Sequence, residues 1–156
     1  MAQKTKTPKN ILVYADFGCT TGFGNVTKEL ISRLSKQYNN HQFHIFALNN
    51  FMLMDYDYSD NVRVYPSALY NDPKYPADLH NRLGFMKFLN AELHIKNITF
   101  DLVFVFNDIE LGASLAPHMK ATQLNNQKIN RKNFKSIFYF PVDSSPMPKD
   151  LEHLSF

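Results

Sequence analysis

The chain has 156 residues, 44% of them hydrophobic and 20% charged, a composition typical of a single globular domain with a buried core. Its net charge of +3 is too small to indicate a nucleic-acid binder, and its one cysteine, Cys19, excludes a disulfide within the chain. The first residues lack the apolar core of a signal peptide, and no apolar run is long enough to span a bilayer. We therefore expect a cytoplasmic protein without a transmembrane segment.

The first third of the sequence predicts strand, helix and strand. Residues 10–16, "NILVYAD", form a short continuous apolar run of the kind found in strands covered on both faces. Residues 26–34 then place apolar side chains at helical spacing, and Asn25 is the expected N-cap of that helix. Residues 42–49 read as the second strand.

The remainder predicts three more strands and two more helices. Residues 61–67 form a short strand, and residues 79–93 form a long amphipathic helix. Residues 100–108 and 134–143 are buried strands that flank a third helix, which Pro117 is expected to weaken or kink.

This order of elements predicts an α/β, Rossmann-like fold with a mainly parallel sheet and helices on both faces. Ligands of such sheets bind at the carboxyl ends of the strands. That rule selects four places: the glycine turn after the first strand, residues 49–50, residues 107–110 and residues 142–145.

The glycine turn, "DFGCTTGFGNVTKE", fails two specific nucleotide-binding patterns. A P-loop needs four residues between its glycines and a lysine directly after the second glycine, but Gly18 and Gly22 have three residues between them and no lysine follows Gly22. A dinucleotide fingerprint needs a third glycine where Thr27 stands, and the second strand ends in Asn49 rather than a carboxylate, so NAD is disfavoured. Two interpretations stay open: a turn whose amides hold an anion, and a tight turn without a ligand.

Three segments resemble one family in the correct order along the chain. "ILVYADFGCTTGFGNVTKELISRLSK" is similar to the opening strand, glycine loop and helix of retaining glycosyltransferases of the two-domain GT-B fold, the family-four-like group. "FDLVFVFNDIEL" and "IFYFPVDSSPMP" are similar to two later segments of that family, in which a strand precedes a polar turn.

The resemblance implies an enzyme that moves a sugar from a nucleotide-sugar donor to an acceptor hydroxyl, without a required cofactor or metal. In that family the N-terminal Rossmann-like domain mainly binds the acceptor, whereas the C-terminal domain grips the donor. We accordingly expect residues 1–9 to be a flexible segment and residues 10–156 to be the N-terminal domain. The C-terminal donor domain would be absent, and the chain would be a truncated part that is inactive by itself.

The resemblance also selects candidate site residues. Gly22, Phe23, Gly24 and Asn25 would form the loop against the donor phosphate or the acceptor, with backbone amides holding negative charge. Asp143 would contact the reacting centre in a catalytic role, although an aspartate there can also simply cap a turn. Two further substrate-binding candidates, Asn107 and Asp108, could bond acceptor hydroxyls, but Asp108 is equally suited to cap a helix.

Other functions and sites receive less support from the residues. The first alternative is a non-catalytic Rossmann-like binding or assembly module, and the second is a different Rossmann-like nucleotide binder. The aspartates at 55, 57 and 60 lack the glycine and glutamate of a calcium-binding EF-hand, and the six histidines lack zinc-site spacing, so no metal site is predicted.

Overall fold

A computed structural model describes residues 7–49, 58–70, 82–91, 95–96, 98–129 and 131–140. Its strands are β1 (Asn10–Asp16), β2 (Gln42–Leu48), β3 (Val62–Pro66), β4 (Leu102–Phe106) and β5 (Lys135–Tyr139). Its helices are α1 (Gly22–Gln37), α2 (Arg82–Asn90) and α3 (Ile109–Lys128), and a 3₁₀ turn at Ser67–Tyr70 follows β3. The predicted order of strands and helices is confirmed for these residues.

The five strands form one parallel sheet in the order β3-β2-β1-β4-β5. β1 lies at the centre, with Val13 opposite Ile45 of β2 on one side and opposite Phe104 of β4 on the other. The chain thus builds outwards from β1 to β3, and then returns across β1 to add β4 and β5. This reversal between β1 and β4 is the topological switch point at which open α/β sheets bind ligands.

Side chains alternate between the two faces of the sheet and form a separate core on each. On the face covered by α1, here called the α1 face, Val13 and Ala15 pack with Ile31 of α1 and Ile45 of β2. On the opposite face, Leu12 and Tyr14 pack against α2 and α3, whose core residues are Phe85, Phe88, Leu89, Leu111, Leu115 and Met119. Helices therefore cover both faces, as the sequence predicts, and the fold class is confirmed as α/β and Rossmann-like.

Two details of the helices refine the sequence-based expectations. The helix predicted over residues 79–93 is present as α2, which covers Arg82–Asn90 of the described residues. α3 runs through Pro117 to Lys128, although proline lacks the amide that would bond to the carbonyl of Ala113 one turn earlier. The flanking turns, which pack Leu115 and Met119 into the core, keep the helix continuous on both sides of the proline.

Candidate functional site

The carboxyl ends of β1, β2 and β4 bring three polar side chains together at the switch point. β1 ends at Asp16, Asn49 directly follows β2, and Asn107 directly follows β4. Asn49 adopts a left-handed backbone conformation, with φ of 53°, which asparagine tolerates better than most residues. Parallel strands place all three residues at the same edge, where the chain turns away from the sheet.

Asp16 is the centre of the hydrogen-bond network at this edge. Its Oδ1 accepts bonds from Nδ2 of Asn49 at 3.0 Å and from Nδ2 of Asn107 at 3.3 Å. Its Oδ2 accepts a bond from Oγ1 of Thr21 at 2.9 Å. The residue is only 6% exposed, so three donors take the place of water around its carboxylate. The network ties three strand ends to the start of α1.

Thr21 connects this network to the glycine turn. Its side chain accepts a hydrogen bond from the amide of Gly24 at 2.9 Å while it donates to Asp16. This is the geometry of an N-cap, and α1 begins immediately afterwards at Gly22. The prediction of Asn25 as the N-cap is therefore wrong: Asn25 lies in the first turn, exposed, and its own amide bonds to the carbonyl of Thr21.

The other three residues of the predicted anion-binding loop, Gly22, Phe23 and Gly24, occupy different environments. A Cβ on Gly24 would lie 2.6 Å from the carbonyl oxygen of Cys19, so only glycine fits this turn, and its amide is already bonded to Thr21. Phe23 packs its ring against Phe106, with ring centres 5.2 Å apart. Gly22 is exposed, and a Cβ placed there would meet no atom within 4 Å. Open space for a ligand therefore exists at Gly22 and not at Gly24.

The structure also places the second pair of predicted residues, Asn107 and Asp108, in two different environments. Asn107 is 5% exposed, and its Oδ1 accepts the amide of Asp108 at 2.8 Å while its Nδ2 donates to Asp16. Asp108 occupies the N-cap position of α3, as the sequence suggests, but its exposed side chain makes no capping bond. Asn107 consequently has a positioning role within the network, and the Asp108 carboxylate is free to meet a ligand.

Asp143, the predicted catalytic residue, lies outside the described residues. The strand that precedes it, β5, ends at Tyr139, whose carbonyl accepts the amide of Asn107 at 3.3 Å. The end of β5 thus belongs to the same edge of the sheet.

Charge at this edge is acidic. Residues 16–25 and 107–111 contain Asp16, Asp108 and Glu110 but no lysine or arginine. The groups at this edge that stay open to a ligand are the side chains of Asn49 and Asp108 and the backbone at Gly22. They suit the hydroxyl groups of a ligand, which both donate and accept hydrogen bonds. A diphosphate would need cations from outside these two segments.

Sequence reasoning missed the two residues that organise the edge, Asp16 and Thr21. The position of Asp16 at the end of a predicted strand could have marked it as a candidate site residue. Its hydrogen-bond partners could not be predicted, because they depend on which strands lie beside β1. Thr21 is a capping residue type three positions before Gly24, which was the other available signal.

No model of a known protein family matches the chain, and a search of curated proteins finds no match to it. The resemblance to glycosyltransferases therefore stays a prediction. Among the described residues, no helix combines the length and apolar character needed to cross a membrane. Within the same residues, no three histidine, cysteine, aspartate or glutamate side chains are grouped to hold a metal ion.

Proposed function

We propose that the domain is the acceptor-side half of a glycosyltransferase and that it binds a hydroxyl-rich acceptor at the carboxyl edge between β1 and β4. The observation that carries the proposal is the network centred on Asp16, which fixes two asparagines and the start of α1 at the switch point. The buried members of the network hold the exposed Asn49 and the open backbone at Gly22 in fixed positions, which suits the recognition of hydroxyl groups.

The different environments of Gly22 and Gly24 support the same proposed function. Gly24 shapes the turn, whereas Gly22 leaves its surface open for a substrate to approach the backbone. The exposed carboxylate of Asp108 adds an acceptor for a hydroxyl proton at the start of α3. Since the edge carries no cation in residues 16–25 and 107–111, the proposal leaves the diphosphate of the donor to groups outside these segments.

The test is a calorimetric titration of the chain with oligosaccharides, nucleotide sugars and NAD, compared between two valine variants. Gly22→Val fills the open space at the turn, and Asn125→Val places the same side chain at an exposed position near the far end of α3. We expect saccharide binding that Gly22→Val weakens about tenfold or more and that Asn125→Val leaves unchanged. Tight NAD binding, or equal saccharide affinity in both variants, would contradict the proposal.

A transfer assay separates the enzyme from the alternative of a binding module. The full-length gene product should transfer sugar from a nucleotide donor, and Gly22→Val should lower that rate. Saccharide binding by a full-length protein that transfers no sugar would favour the non-catalytic module.

A further inference from the structure

Three lysines lie together at the amino edge of the sheet, where β1, β4 and β5 begin. Lys9 directly precedes β1, Lys132 lies three residues before β5, and Lys135 is the first residue of β5. The register places Lys135 opposite Leu102 of β4, and Leu102 opposite Ile11 of β1. Paired residues of parallel strands point to the same face, so Lys135 lies in one row with two apolar side chains on the α1 face.

Asp101 holds two of these lysines in position. Its Oδ1 accepts hydrogen bonds from Nζ of Lys9 at 3.2 Å and from Nζ of Lys132 at 2.5 Å, and its Oδ2 accepts the amide of Asn10 at 2.9 Å. An ammonium group has three N–H donors, so each of the two lysines keeps donors for another acceptor. Lys135 forms no ion pair in the described part of the chain. Three lysines against one carboxylate leave a surplus of two positive charges.

A cavity of about 540 Å³ lies at these groups. Its charged and polar side is formed by Lys9, Lys132, Lys135, Asp101, His41 and Asn133, and its apolar side by Ile11, Leu102 and Ile137. The volume is in the range of cavities that bind small organic ligands. A cavity with one cationic and one apolar side suits a small molecule in which an anionic group is attached to an apolar body.

His41 supplies a second, independent indication of a ligand. The residue lines the cavity and is only 9% exposed, with its ring stacked on Tyr38. Its Nδ1 is shielded from solvent and has no hydrogen-bond partner among the described residues. Buried polar groups in native proteins nearly always have a partner, so this nitrogen indicates a site that a polar ligand completes. In the tautomer that carries the proton on Nδ1, it is a donor for an anion.

We propose that this cavity binds a small organic phosphate, namely a phosphate monoester with an apolar substituent. Lys132 and Lys135 would bond to the phosphate oxygens, with Nδ1 of His41 as a further donor, and the substituent would lie against Ile11 and Ile137. A dianionic phosphate matches the surplus of two positive charges better than a monoanion does. A nucleotide sugar, whose phosphates are all esterified, lacks such a terminal group. The site lies at the edge opposite the Asp16 network, so this inference is independent of the proposed glycosyl transfer.

The test compares three probes in calorimetric titrations of the intact chain at about pH 8, where a phosphate monoester is a dianion. Phenyl phosphate has the charge and the ring, inorganic phosphate has the charge without the ring, and benzoate has the ring with a single charge. We expect phenyl phosphate to bind about tenfold more tightly than either of the others. Equal affinity for phenyl phosphate and either other probe, or no binding of phenyl phosphate at millimolar concentration, would contradict the inference.

Two matched lysine variants locate the binding. Lys135→Gln removes the lysine that is not paired with Asp101 and should weaken the binding of phenyl phosphate about tenfold. Lys120→Gln makes the same change at an exposed position of α3, on the opposite face of the sheet, and should leave the affinity unchanged. Equal effects of the two variants would show that phenyl phosphate binds elsewhere and would overturn the inference.

A third variant tests the apolar side of the cavity. Ile137 is half-exposed, so Ile137→Ser should not disturb folding. It should weaken the binding of phenyl phosphate about fivefold and leave that of inorganic phosphate unchanged. An equal loss for both probes would contradict the proposed position of the substituent.

Acetylation of lysines, followed by mass spectrometry, tests whether the site is open in the free chain. We expect Lys135 to react as readily as Lys120 and to become protected when phenyl phosphate is added, whereas Lys120 should react equally in both cases. A Lys135 that is already protected in the free chain would show that other residues of the chain fill the site, and would overturn the inference.

Discussion

Asp16 determines the local structure of the candidate site because a buried carboxylate needs donors. It lies where β1 leaves the sheet, so the side chains that follow β2 and β4 can reach it from either side. Thr21 adds the third donor and is thereby held in position to cap α1. One carboxylate thus controls the positions of the glycine turn and of both asparagines.

Replacement of Asp16 tests this role. Asp16→Ala leaves the Nδ2 groups of Asn49 and Asn107 without their acceptor, and Asn107 is buried. We expect the free energy of unfolding, measured by urea denaturation, to fall by about 2–3 kcal/mol. Asp16→Asn keeps one acceptor oxygen and should recover part of that loss. A change below about 0.5 kcal/mol in Asp16→Ala would contradict the assignment.

Gly22 and Gly24 give a matched pair for a second prediction. A Cβ on Gly24 would contact the backbone oxygen and the Sγ of Cys19 at 2.6 and 2.7 Å, so Gly24→Ala must displace the turn. We expect it to lower the free energy of unfolding by about 1–3 kcal/mol.

Gly22→Ala meets no atom within 4 Å, and Gly22 has no positive φ. This variant should leave stability unchanged or raise it by up to about 1 kcal/mol, since alanine is the better helix former. Equal losses of stability in the two variants would show that the structural distinction between the glycines is wrong.

At the scale of elements, the strands were the most predictable part of the molecule. The apolar runs of β1 and β4 are continuous, and that of β2 is interrupted only by His44, because both faces of these strands are covered. The start of α1 was less predictable, since Thr21 and Asn25 are both capping residue types. Tertiary contacts decide between them: Asp16 orients Thr21, and Cys19 leaves space at position 24 only for glycine.

Asp101 joins three elements at the amino edge of the sheet. Burial raises the pKa of Asp101, but hydrogen bonds from Lys132, the backbone amide of Asn10 and Lys9 outweigh this and hold the pKa below its ordinary value of 3.8. The carboxylate therefore connects the start of β1 to the segments that precede β4 and β5.

This lowered pKa predicts a loss of stability in acid. A carboxyl group whose pKa is lower in the folded state contributes stability above its unfolded pKa and loses it as the pH falls through the folded value. We expect the difference in unfolding free energy between the wild type and Asp101→Asn to be constant from about pH 7 to about pH 5 and to shrink below 3.8.

Lys132→Gln provides the control for that titration. It removes one of the hydrogen bonds that lower the pKa of Asp101, so the total loss of stability in acid should be smaller and should be complete at a higher pH than in the wild type. A stability difference that does not change with pH would show that Asp101 is not stabilised by these contacts.

At the scale of the whole molecule, the sequence predicted the fold more completely than the site. Alternating strands and helices were sufficient to predict a parallel sheet with helices on both faces. The network at Asp16 could not be predicted in the same way, because Asn49 and Asn107 follow it by 33 and 91 residues and become its neighbours only through the strand order. The structure places Asn107 and Asp108 together at the carboxyl edge of the sheet, but it buries Asn107 in the network and leaves Asp108 exposed.

The molecule also separates two surfaces of different chemistry. Amide, hydroxyl and carboxylate groups occupy the carboxyl edge at β1 and β4, whereas a cavity lined by lysines and apolar side chains lies at the amino edge of the sheet. Since the two share no described residue, ligands of one should leave the other unaffected.

The central claim is that a hydroxyl-rich ligand binds at the carboxyl edge between β1 and β4. The most direct test is a two-dimensional NMR titration of the ¹⁵N-labelled chain with oligosaccharides and nucleotide sugars. We expect the largest amide shifts at Asp16, Gly22, Asn49 and Asp108, with the resonances of Leu102 and Ile137 unchanged. Saturable shifts confined to other parts of the chain, or no shifts at millimolar saccharide, would contradict this account.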